Sequence, residues 1–208
     1  MMKDQMYDYA YDDKGDDKYC YSHTSVLKNK AGIRKFEKLA VFEREYSTIR
    51  ATELLEEGVT GDFSLAHLQE IHRYLFQDIY NWAGEIRTVD IAKGNIFCLV
   101  QFIETQYETV YAGLKEADML QHISVRSEMV KKLAFYLAEI NAIHPFREGN
   151  GRAQRAYIQQ LCMLNGRFFI NFNKTSPEEM VEASIASLKN VDYSLMEKVI
   201  DACLIDQG

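Results

Sequence analysis

A twelve-residue stretch from His144 to Arg155, H-P-F-R-E-G-N-G-R-A-Q-R, constrains the fold of this chain more than any other. Apolar residues recur at helical spacing on both sides of it. The residue before a proline is biased away from the α-helical region, so the first helix should end near His144. Gly149 and Gly151 then allow a close turn of the backbone, and the second helix should begin near Asn150. The stretch predicts two helices joined by a tight loop.

The side chains of this stretch are of types that handle phosphates. The start of a helix presents unpaired N–H groups and the positive end of the helix dipole, which favour an anion. Arg152 and Arg155 lie three residues apart on one helix face, and with Arg147 they would supply a local basic pocket. Glu148 offers the kind of oxygen ligand that Mg²⁺ takes beside phosphates. His144 can act as a base, because an imidazole titrates near neutral pH. The set predicts phosphoryl chemistry on a nucleotide.

Taken alone, His144 and Glu148 have plainer interpretations, as a histidine stacked at a helix end and a solvated loop carboxylate. The twelve residues together, however, match every fixed position of the motif H-x-F-x-(D/E)-G-N-G-R-x-x-R. The sequence therefore resembles Fic-domain proteins, most of which transfer AMP from ATP to a hydroxyl side chain of another protein. The resemblance implies an all-α Fic fold, a helical bundle with a central helix-loop-helix active site and one small β-hairpin, the flap.

The resemblance also implies a role for each fixed position of the motif. His144 would be the general base, Glu148 would hold the Mg²⁺ that bridges the α- and β-phosphates of ATP, and Phe146 would anchor the loop on the core. The nucleotide-binding residues would be Gly149, Asn150, Gly151, Arg152 and Arg155. Asn150 and the neighbouring amides are expected at the α-phosphate, and the two arginines at the β- and γ-phosphates. Some family members carry lysine in place of Gly151 and bind the nucleotide in another orientation, so glycine favours AMP transfer over phosphate transfer.

A second stretch predicts the β-hairpin. Thr88–Ile91 alternates and is rich in β-branched residues, a turn-like Lys-Gly-Asn follows, and Ile96–Cys98 would be the returning strand. From these residues alone it is a surface hairpin without an assigned role. The resemblance identifies it as the flap, which covers the nucleotide and pins a target segment by strand addition. The flap and target-binding residues would be Lys93, Gly94, Asn95 and Phe97.

The remaining chain is predicted to be mostly helical. Apart from the two helices beside the motif, helical patterns span about residues 25–30, 34–57, 64–79, 101–114, 177–189 and 195–204. Ser176 and Glu179 have the spacing of a capping box. His67 and His72 lie five residues apart and cannot bind one ion from the same helix face, so we interpret them as structural or surface residues. One apolar stripe expected to face the core consists of Leu39, Phe42, Tyr46, Ile49 and Leu54.

Composition limits the class of protein. The formal net charge of -7 argues against broad nucleic-acid binding. No apolar run is long enough to span a membrane and the N-terminus lacks a signal-peptide core, so neither nucleic acid nor membrane is an expected partner. The 4 scattered cysteines favour reduced thiols in the cytoplasm.

Two parts of the chain differ in composition. Residues 1–18 are rich in aspartate and tyrosine and have no helical or strand period. We expect them to form a flexible acidic arm, with a segment for modification or partner binding as the alternative. Residues 19–208 are expected to form a single Fic domain with C-terminal helices, since 208 residues suffice for one domain of ordinary size.

Regulation is predicted from a missing pattern. Fic proteins are commonly held inactive by a helix with (S/T)-x-x-x-E-(G/N), whose glutamate pairs with the second motif arginine, here Arg155. Two segments, Thr52–Glu57 and Thr175–Met180, nearly match this pattern but do not end in Gly or Asn, and neither lies where the family's inhibitory helix is expected. The first lies on an N-terminal helix and stays a candidate. We expect a small antitoxin to supply the inhibitory helix, with this chain as the toxin. The resemblance then suggests DNA gyrase or topoisomerase IV subunits as targets.

The sequence thus predicts an ATP-dependent protein adenylyltransferase that modifies a Ser, Thr or Tyr hydroxyl of a target protein. Two alternatives remain. The same fold could use another nucleotide or a phosphate-containing donor such as phosphocholine, because the motif determines the diphosphate geometry but not the transferred group. The chain could also be an inert helical interaction module. The presence of His144, Glu148, Asn150, Arg152 and Arg155 together argues against the last of these.

Overall fold

Helix α4, Arg126–Ile143, forms the centre of the fold. The computed structural model of the protein describes residues 10–11, 16–92 and 95–207. Buried apolar residues run along α4 from Met129 to Ile143. It packs against four helices, α3 (Ile103–Glu116), α5 (Asn150–Asn165), α6 (Pro177–Asn190) and α7 (Ser194–Cys203). The two N-terminal helices, α1 (Phe36–Glu57) and α2 (Leu65–Phe76), pack on each other and on α5.

The mostly helical fold confirms the predicted fold class, and the helices begin and end close to the expected residues. Among the described residues, none of these helices is both long and apolar enough to cross a membrane. All four cysteines are free thiols. Short 3₁₀ turns occur at Asp16–Lys18, Val100–Phe102, Asp118–Leu120 and Phe172–Lys174.

Two local predictions were wrong. The segment 25–30 is not helical but extended: Cys20 forms a bridge with Leu27, and the Lys28 amide donates to the Tyr19 carbonyl at 2.7 Å. A second small sheet was not predicted. It pairs β3 (Phe168–Ile170) with β4 (Leu204–Asp206) in antiparallel register. Leu204 was assigned to the last helix, but the chain leaves α7 there and runs back along β3.

The predicted apolar stripe of α1 is only partly in the core. Leu39 and Leu54 are buried, whereas Tyr46 and Ile49 are 40% and 55% exposed. The helix instead turns Ser47, which is 2% exposed, towards α5. Ser47 faces inward because its hydroxyl accepts a hydrogen bond from Arg152. A charged side chain that is largely removed from water needs such a polar partner.

The hairpin predicted near residue 91 is present in a minimal form. Strand β2, Ile91–Ala92, turns back through a bridge from Ala92 to Ile96, and the Phe97 amide donates to the Ile91 carbonyl at 3.3 Å. Lys93 and Gly94, both assigned to target binding, lie outside the described residues.

The other edge of β2 pairs with a strand from the predicted arm. Strand β1, Ala10–Tyr11, lies antiparallel to β2, with Ala10 opposite Ala92 and Tyr11 opposite Ile91. Residues 1–9 and 12–15 lie outside the described part of the chain. The division into a flexible arm and a single domain therefore stays a prediction.

Helix α6 begins with the predicted capping box. The Ser176 hydroxyl accepts from the Glu179 amide at 3.2 Å, and the Glu179 carboxylate accepts from the Ser176 amide at 2.8 Å. We expect Ser176→Ala to lower the free energy of unfolding by about 1 kcal/mol, because one amide of the first turn loses its acceptor. Urea denaturation measures this. Ser127→Ala is the control, since Ser127 is exposed in the first turn of α4 and should change stability by less than about 0.5 kcal/mol. Equal losses in both variants would contradict the assignment of the cap.

Candidate active site

The loop between α4 and α5 follows an unusual backbone path. His144 ends α4 in the left-handed region, with φ 49° and ψ 61°, and its amide donates to the Ile140 carbonyl at 3.0 Å. Gly149, with φ 80°, immediately precedes α5. A Cβ atom at position 149 would lie 2.3 Å from the Phe76 ring, so no other residue fits there without moving α2. The predicted helix-loop-helix is confirmed, with α5 beginning at Asn150.

The Asn150 side chain holds the loop closed. Its Oδ1 accepts from the Phe146 amide at 2.8 Å, and its Nδ2 donates to the Phe146 carbonyl at 2.7 Å. Phe146 is 1% exposed, as the predicted structural anchor should be. The side chain of Asn150 thus shapes the loop, and its expected contact with the α-phosphate stays a prediction.

His72 supports the loop from behind. Its Nδ1 accepts from the Gly84 amide at 2.8 Å, so its Nε2 carries the proton and donates to the Glu148 carbonyl at 2.9 Å. Its ring stacks on Phe146, with centroids 3.9 Å apart. Burial lowers the pKa of His72 to about 3, so the ring stays neutral. The interpretation of His72 as structural fits these contacts, but its support of the Glu148 backbone was not foreseen.

Contacts with Asn141 and Phe97 orient the His144 imidazole. Its Nδ1 lies 3.2 Å from the Asn141 carbonyl oxygen, which can only accept, so Nδ1 carries the proton in the neutral ring and Nε2 does not. The Phe97 ring stacks on the imidazole with centroids 3.8 Å apart. His144 lines a pocket together with Phe97 and Asn95, and so two of the four predicted flap residues lie at the site.

The same pocket is lined by Glu148, Asn150, Gly151 and Arg155. The Glu148 side chain is about a quarter exposed, at 27%, and its Oε1 accepts from the Gly149 amide at 2.9 Å. At the start of α5 the Arg152 amide donates to the Gly149 carbonyl at 3.1 Å, whereas the amides of Asn150 and Gly151 precede the first position that finds an acceptor within the helix. Five predicted site residues of the motif therefore line one cavity, whereas Gly149, Arg152 and Phe146 do not line it.

The two motif arginines have different surroundings. Arg152 is held by α1: it donates to the Ser47 hydroxyl at 2.9 Å and forms an ion pair with Glu43, and it lies over the Phe76 ring. Burial lowers the pKa of Arg152, but the charges of Glu43 and Glu148 outweigh burial and raise the pKa above its ordinary value. Glu43 and Ser47 were missed in the sequence, because a single glutamate and serine on an amphipathic helix have no distinguishing pattern.

Arg155 makes no hydrogen bond or ion pair with any described residue. It lines both the pocket beside His144 and a groove between α1 and α5. Burial and the nearby charge of Arg152 lower its pKa, which is the effect of a cation without a neutralising partner. This position favours an incoming anion.

Arg147 does not contribute to the basic pocket as expected. It is 2% exposed and contacts the Cys20 sulfur at 3.7 Å, on the side of the loop that faces the N-terminal segment. The structure therefore places Arg147 behind the loop and not in the pocket.

One wall of the pocket was not predicted. Helix α6 contributes a largely apolar face to it, formed by Met180, Val181, Ser184, Ile185 and Leu188. The helix itself was predicted, but its orientation towards the loop comes from tertiary packing that no local pattern reports. An apolar wall opposite a basic loop is typical of a site for a molecule with an apolar part and an anionic part.

Neither near match to the inhibitory pattern reaches Arg155. Glu179 is part of the capping box of α6, and Glu56 is exposed at the end of α1. The carboxylate that α1 does bring to a motif arginine is that of Glu43, which pairs with Arg152 and not with Arg155.

A helical bundle whose central loop combines a histidine, a carboxylate, an open helix start and two arginines is built to bind a phosphorylated molecule beside a base. Comparison with known proteins places the chain further. The sequence model of the Fic/DOC family matches residues 62–162. The probable protein adenylyltransferase y4lH of Sinorhizobium fredii is 38% identical over 173 residues, which cover 83% of this chain and 88% of that protein. The chain belongs to the Fic/DOC family.

Further relatives agree in sequence and in fold. The probable protein adenylyltransferase Fic of Salmonella typhimurium is 39% identical over 155 residues, covering 74% of this chain and 76% of its own. BepC of Bartonella tribocorum with bound AMPPNP has a TM-score of 0.86 at 25% identity, covering 92% of this chain and 98% of that one. The N-terminal Fic domain of a putative cell filamentation protein from Bartonella quintana with bound ADP also has a TM-score of 0.86, at 28% identity, covering 92% and 96%.

The contacts of His72 predict a pH-dependent contribution to stability. The folded chain keeps this ring neutral down to about pH 3, whereas in the unfolded chain it gains a proton below about pH 6.5. Its stabilising contribution is therefore complete above pH 6.5 and is lost progressively as the pH falls towards 3. In His72→Phe, the stability should fall less between pH 7.5 and pH 5 than in the wild type. Urea denaturation at several pH values measures both slopes.

The same variant has a cost at pH 7.5. The phenyl ring keeps the stack on Phe146 but leaves the Gly84 amide and the Glu148 carbonyl without partners, at about 1–3 kcal/mol for each. His122→Ala is the control, because the His122 side chain is 86% exposed and its removal should cost less than about 0.5 kcal/mol. Identical pH slopes for wild type and His72→Phe would show that His72 is not the group responsible.

Proposed function

We propose that this chain is a protein adenylyltransferase that transfers AMP from ATP to a hydroxyl side chain of a target protein. The observation that carries the proposal is the pocket that His144, the start of α5 and Arg155 line together, where Arg155 has no ion-pair partner among the described residues. The names of the relatives support the reaction, and the AMPPNP and ADP bound to the structural neighbours support a nucleotide as co-substrate.

His144 acts as the general base in this proposal. Its Nε2 takes the proton of the target hydroxyl while the hydroxyl oxygen bonds to the α-phosphorus. The bond from that phosphorus to the oxygen bridging to the β-phosphate breaks, and pyrophosphate leaves. The stack of Phe97 on the imidazole and the bond from Nδ1 to Asn141 restrict the ring to one orientation, so the base is in place before the target arrives.

The chain distributes positive charge along the triphosphate. The amides at the start of α5, beside Gly149 and Gly151, suit the α-phosphate, where negative charge accumulates during attack. Arg155 has no competing partner among the described residues and suits the terminal phosphates. Arg152 is already paired with Glu43 and can share its remaining donors with a phosphate oxygen without reorienting.

Glu148 is the residue that would hold Mg²⁺. No group of three or more metal-ligating side chains occurs in the part of the chain that the structure describes, so a site made of protein ligands alone is not indicated there. Mg²⁺ usually takes one or two carboxylates and completes its shell with waters and substrate phosphates, and one carboxylate on a phosphate pocket fits this. The ion would neutralise charge on the phosphates.

The flap offers a strand edge for the target. An extended segment that adds to an exposed edge binds through its main chain, which tolerates many target sequences. In this structure Ala10–Tyr11 occupies that edge of Ile91–Ala92, which supports the idea that the edge accepts an antiparallel strand. We propose that a target segment binds this edge in place of Ala10–Tyr11, with Asn95 and Phe97 at the pocket. Lys93 and Gly94 stay predicted target-binding residues. A Ser, Thr or Tyr of the target segment would be the acceptor.

A partner helix is the proposed regulator. The groove between α1 and α5 contains Arg155 and the Gln160 side chain, whose Nε2 is buried without a hydrogen-bond acceptor among the described residues. A helix that brings a carboxylate and a carbonyl into this groove would satisfy both residues and displace the terminal phosphate. We propose that a small antitoxin supplies it and that the chain is the toxin of such a pair. Gyrase and topoisomerase IV subunits are the first targets to test, in the reducing compartment that the four free thiols suit.

His144→Ala should abolish AMP transfer while leaving nucleotide binding intact. Loss of a general base costs about 10²–10⁴-fold in rate, whereas the phosphate-binding groups stay in place. The measurement is label transfer from α-labelled ATP with Mg²⁺ and host lysate, beside calorimetric binding of AMPPNP. His122→Ala serves as the control and should label at the wild-type rate. Absence of label with the wild type itself would contradict the proposed activity, and other nucleotides would then be tested.

A carboxylate placed in the groove should inhibit the enzyme within one chain. Ala51 lies four residues after Ser47, on the same face of α1, and lines the groove with Arg155. Ala51→Glu is expected to weaken AMPPNP binding about tenfold or more by pairing with Arg155. Ala51→Gln is the matched control, since it has the same size without the charge and should bind AMPPNP as the wild type does. Equal affinities in the two variants would count against inhibition through this groove.

A further inference from the structure

Arg87 is a fully buried cation outside the motif. It lies in the segment between α2 and β2 and is 1% exposed. Burial lowers the pKa of its guanidinium, so the chain has to compensate this charge with strong hydrogen bonds. The nearby carboxylate of Asp90 is 3.6 Å away and half exposed. Most of the compensation therefore comes from main-chain carbonyl groups.

One set of these carbonyls belongs to the end of α4. The Arg87 Nε donates to the His144 carbonyl at 2.8 Å, and its Nη2 lies 3.4 Å from the Ile143 carbonyl. The backbone amide of Arg87 donates to the Pro145 carbonyl at 2.9 Å. A single residue thus binds three successive carbonyls where the helix ends and the backbone enters the left-handed region. The last carbonyls of a helix lack intrahelical donors and favour a cation.

The second set belongs to the two legs of the flap. The Arg87 Nη1 donates to the Val89 carbonyl at 2.8 Å, and Nη2 donates to the Cys98 carbonyl. Val89 precedes β2 and Cys98 follows Phe97, the residue that stacks on the imidazole of His144. The guanidinium therefore joins both legs of the flap to the backbone of the base.

We propose that Arg87 is a positioning residue that keeps the flap and His144 in fixed relation. The inference rests on the proposed function, since it concerns how the acceptor on the flap meets the base. The planar guanidinium of Arg87 has five N–H donors, which allows it to bind carbonyl groups in several directions at once. The ammonium group of a lysine cannot reproduce this geometry. None of the hydrogen bonds between Arg87 and the described residues goes to α6 or to the start of α5, so we expect its effect to fall on alignment and not on nucleotide affinity.

The test is Arg87→Lys, assayed by label transfer from α-labelled ATP to the lysate protein that the wild type modifies. We expect kcat to fall about 10²-fold, the size of effect that a displacement near 1 Å produces. The KM for ATP and the calorimetric affinity for AMPPNP should stay within about threefold of wild type. An unchanged kcat would overturn the inference, and so would a parallel loss of AMPPNP affinity.

Arg126→Lys is the matched control. Arg126 also donates to main-chain carbonyls near a helix end, those of Asp201 and Leu204, but it does not line the pocket. It should cost stability without lowering kcat. If the wild type transfers no label, the proposed function is contradicted. If the wild type transfers label and Arg87→Lys does so at the same rate, only the positioning role of Arg87 is contradicted.

A second measurement applies if Arg87→Lys does not fold. In native-state hydrogen exchange of the wild type, the amides of Arg87, Phe97 and His144 should open with one common free energy, because the guanidinium ties their segments into one unit. Opening of the Phe97 amide at much lower free energy than the His144 amide would overturn the inference.

Discussion

The site depends on a short loop whose backbone few sequences can follow. His144 and Gly149 are both left-handed, and between them the chain must turn without losing the first turn of α5. The Asn150 amide holds this path by bonding to both polar groups of Phe146, and His72 holds the Glu148 carbonyl from the other side. Strained backbone of this kind persists only where surrounding contacts over-determine it. The helices around the loop are the frame that provides those contacts.

The charge of the pocket depends on which of its ionised side chains are already paired within the protein. Arg152 is paired with Glu43, and Tyr80 donates to the same carboxylate, so burial together with the charge of Glu43 raises the pKa of Tyr80. Arg155 is left with a cationic neighbour and no described carboxylate partner. The chain therefore separates one arginine that is held rigidly by the fold from one that is open to a ligand. The motif places the two arginines on one face, but only α1 makes them different.

The sequence predicted those parts of the structure that local rules determine. The helix ends at His144 and Gly58, the capping box of Ser176 and the loop at Gly149 depend on neighbouring residues, and each was found. Residues that act over a long separation were missed. Glu43 lies 109 positions before Arg152, and the pairing of β4 with β3 depends on where α7 ends in space. The exposure of Ile49 was missed for the same reason. The spacing of apolar residues predicts which face of a helix is apolar, but not which other element will pack against that face.

The contacts of His144 and Arg155 indicate which interactions the protein supplies and which it leaves to the substrate. The groups that the proposed reaction needs in fixed positions, His144 and the start of α5, are held by hydrogen bonds within the protein. The remaining electrostatic need, a partner for Arg155, is left for the ligand to satisfy. An anion that arrives at Arg155 also relieves the repulsion between the two arginines. The same need would make the site sensitive to any carboxylate that reaches the groove first. In the proposed function, binding of a triphosphate and inhibition by a partner helix therefore both follow from one arginine that has no carboxylate partner among the described residues.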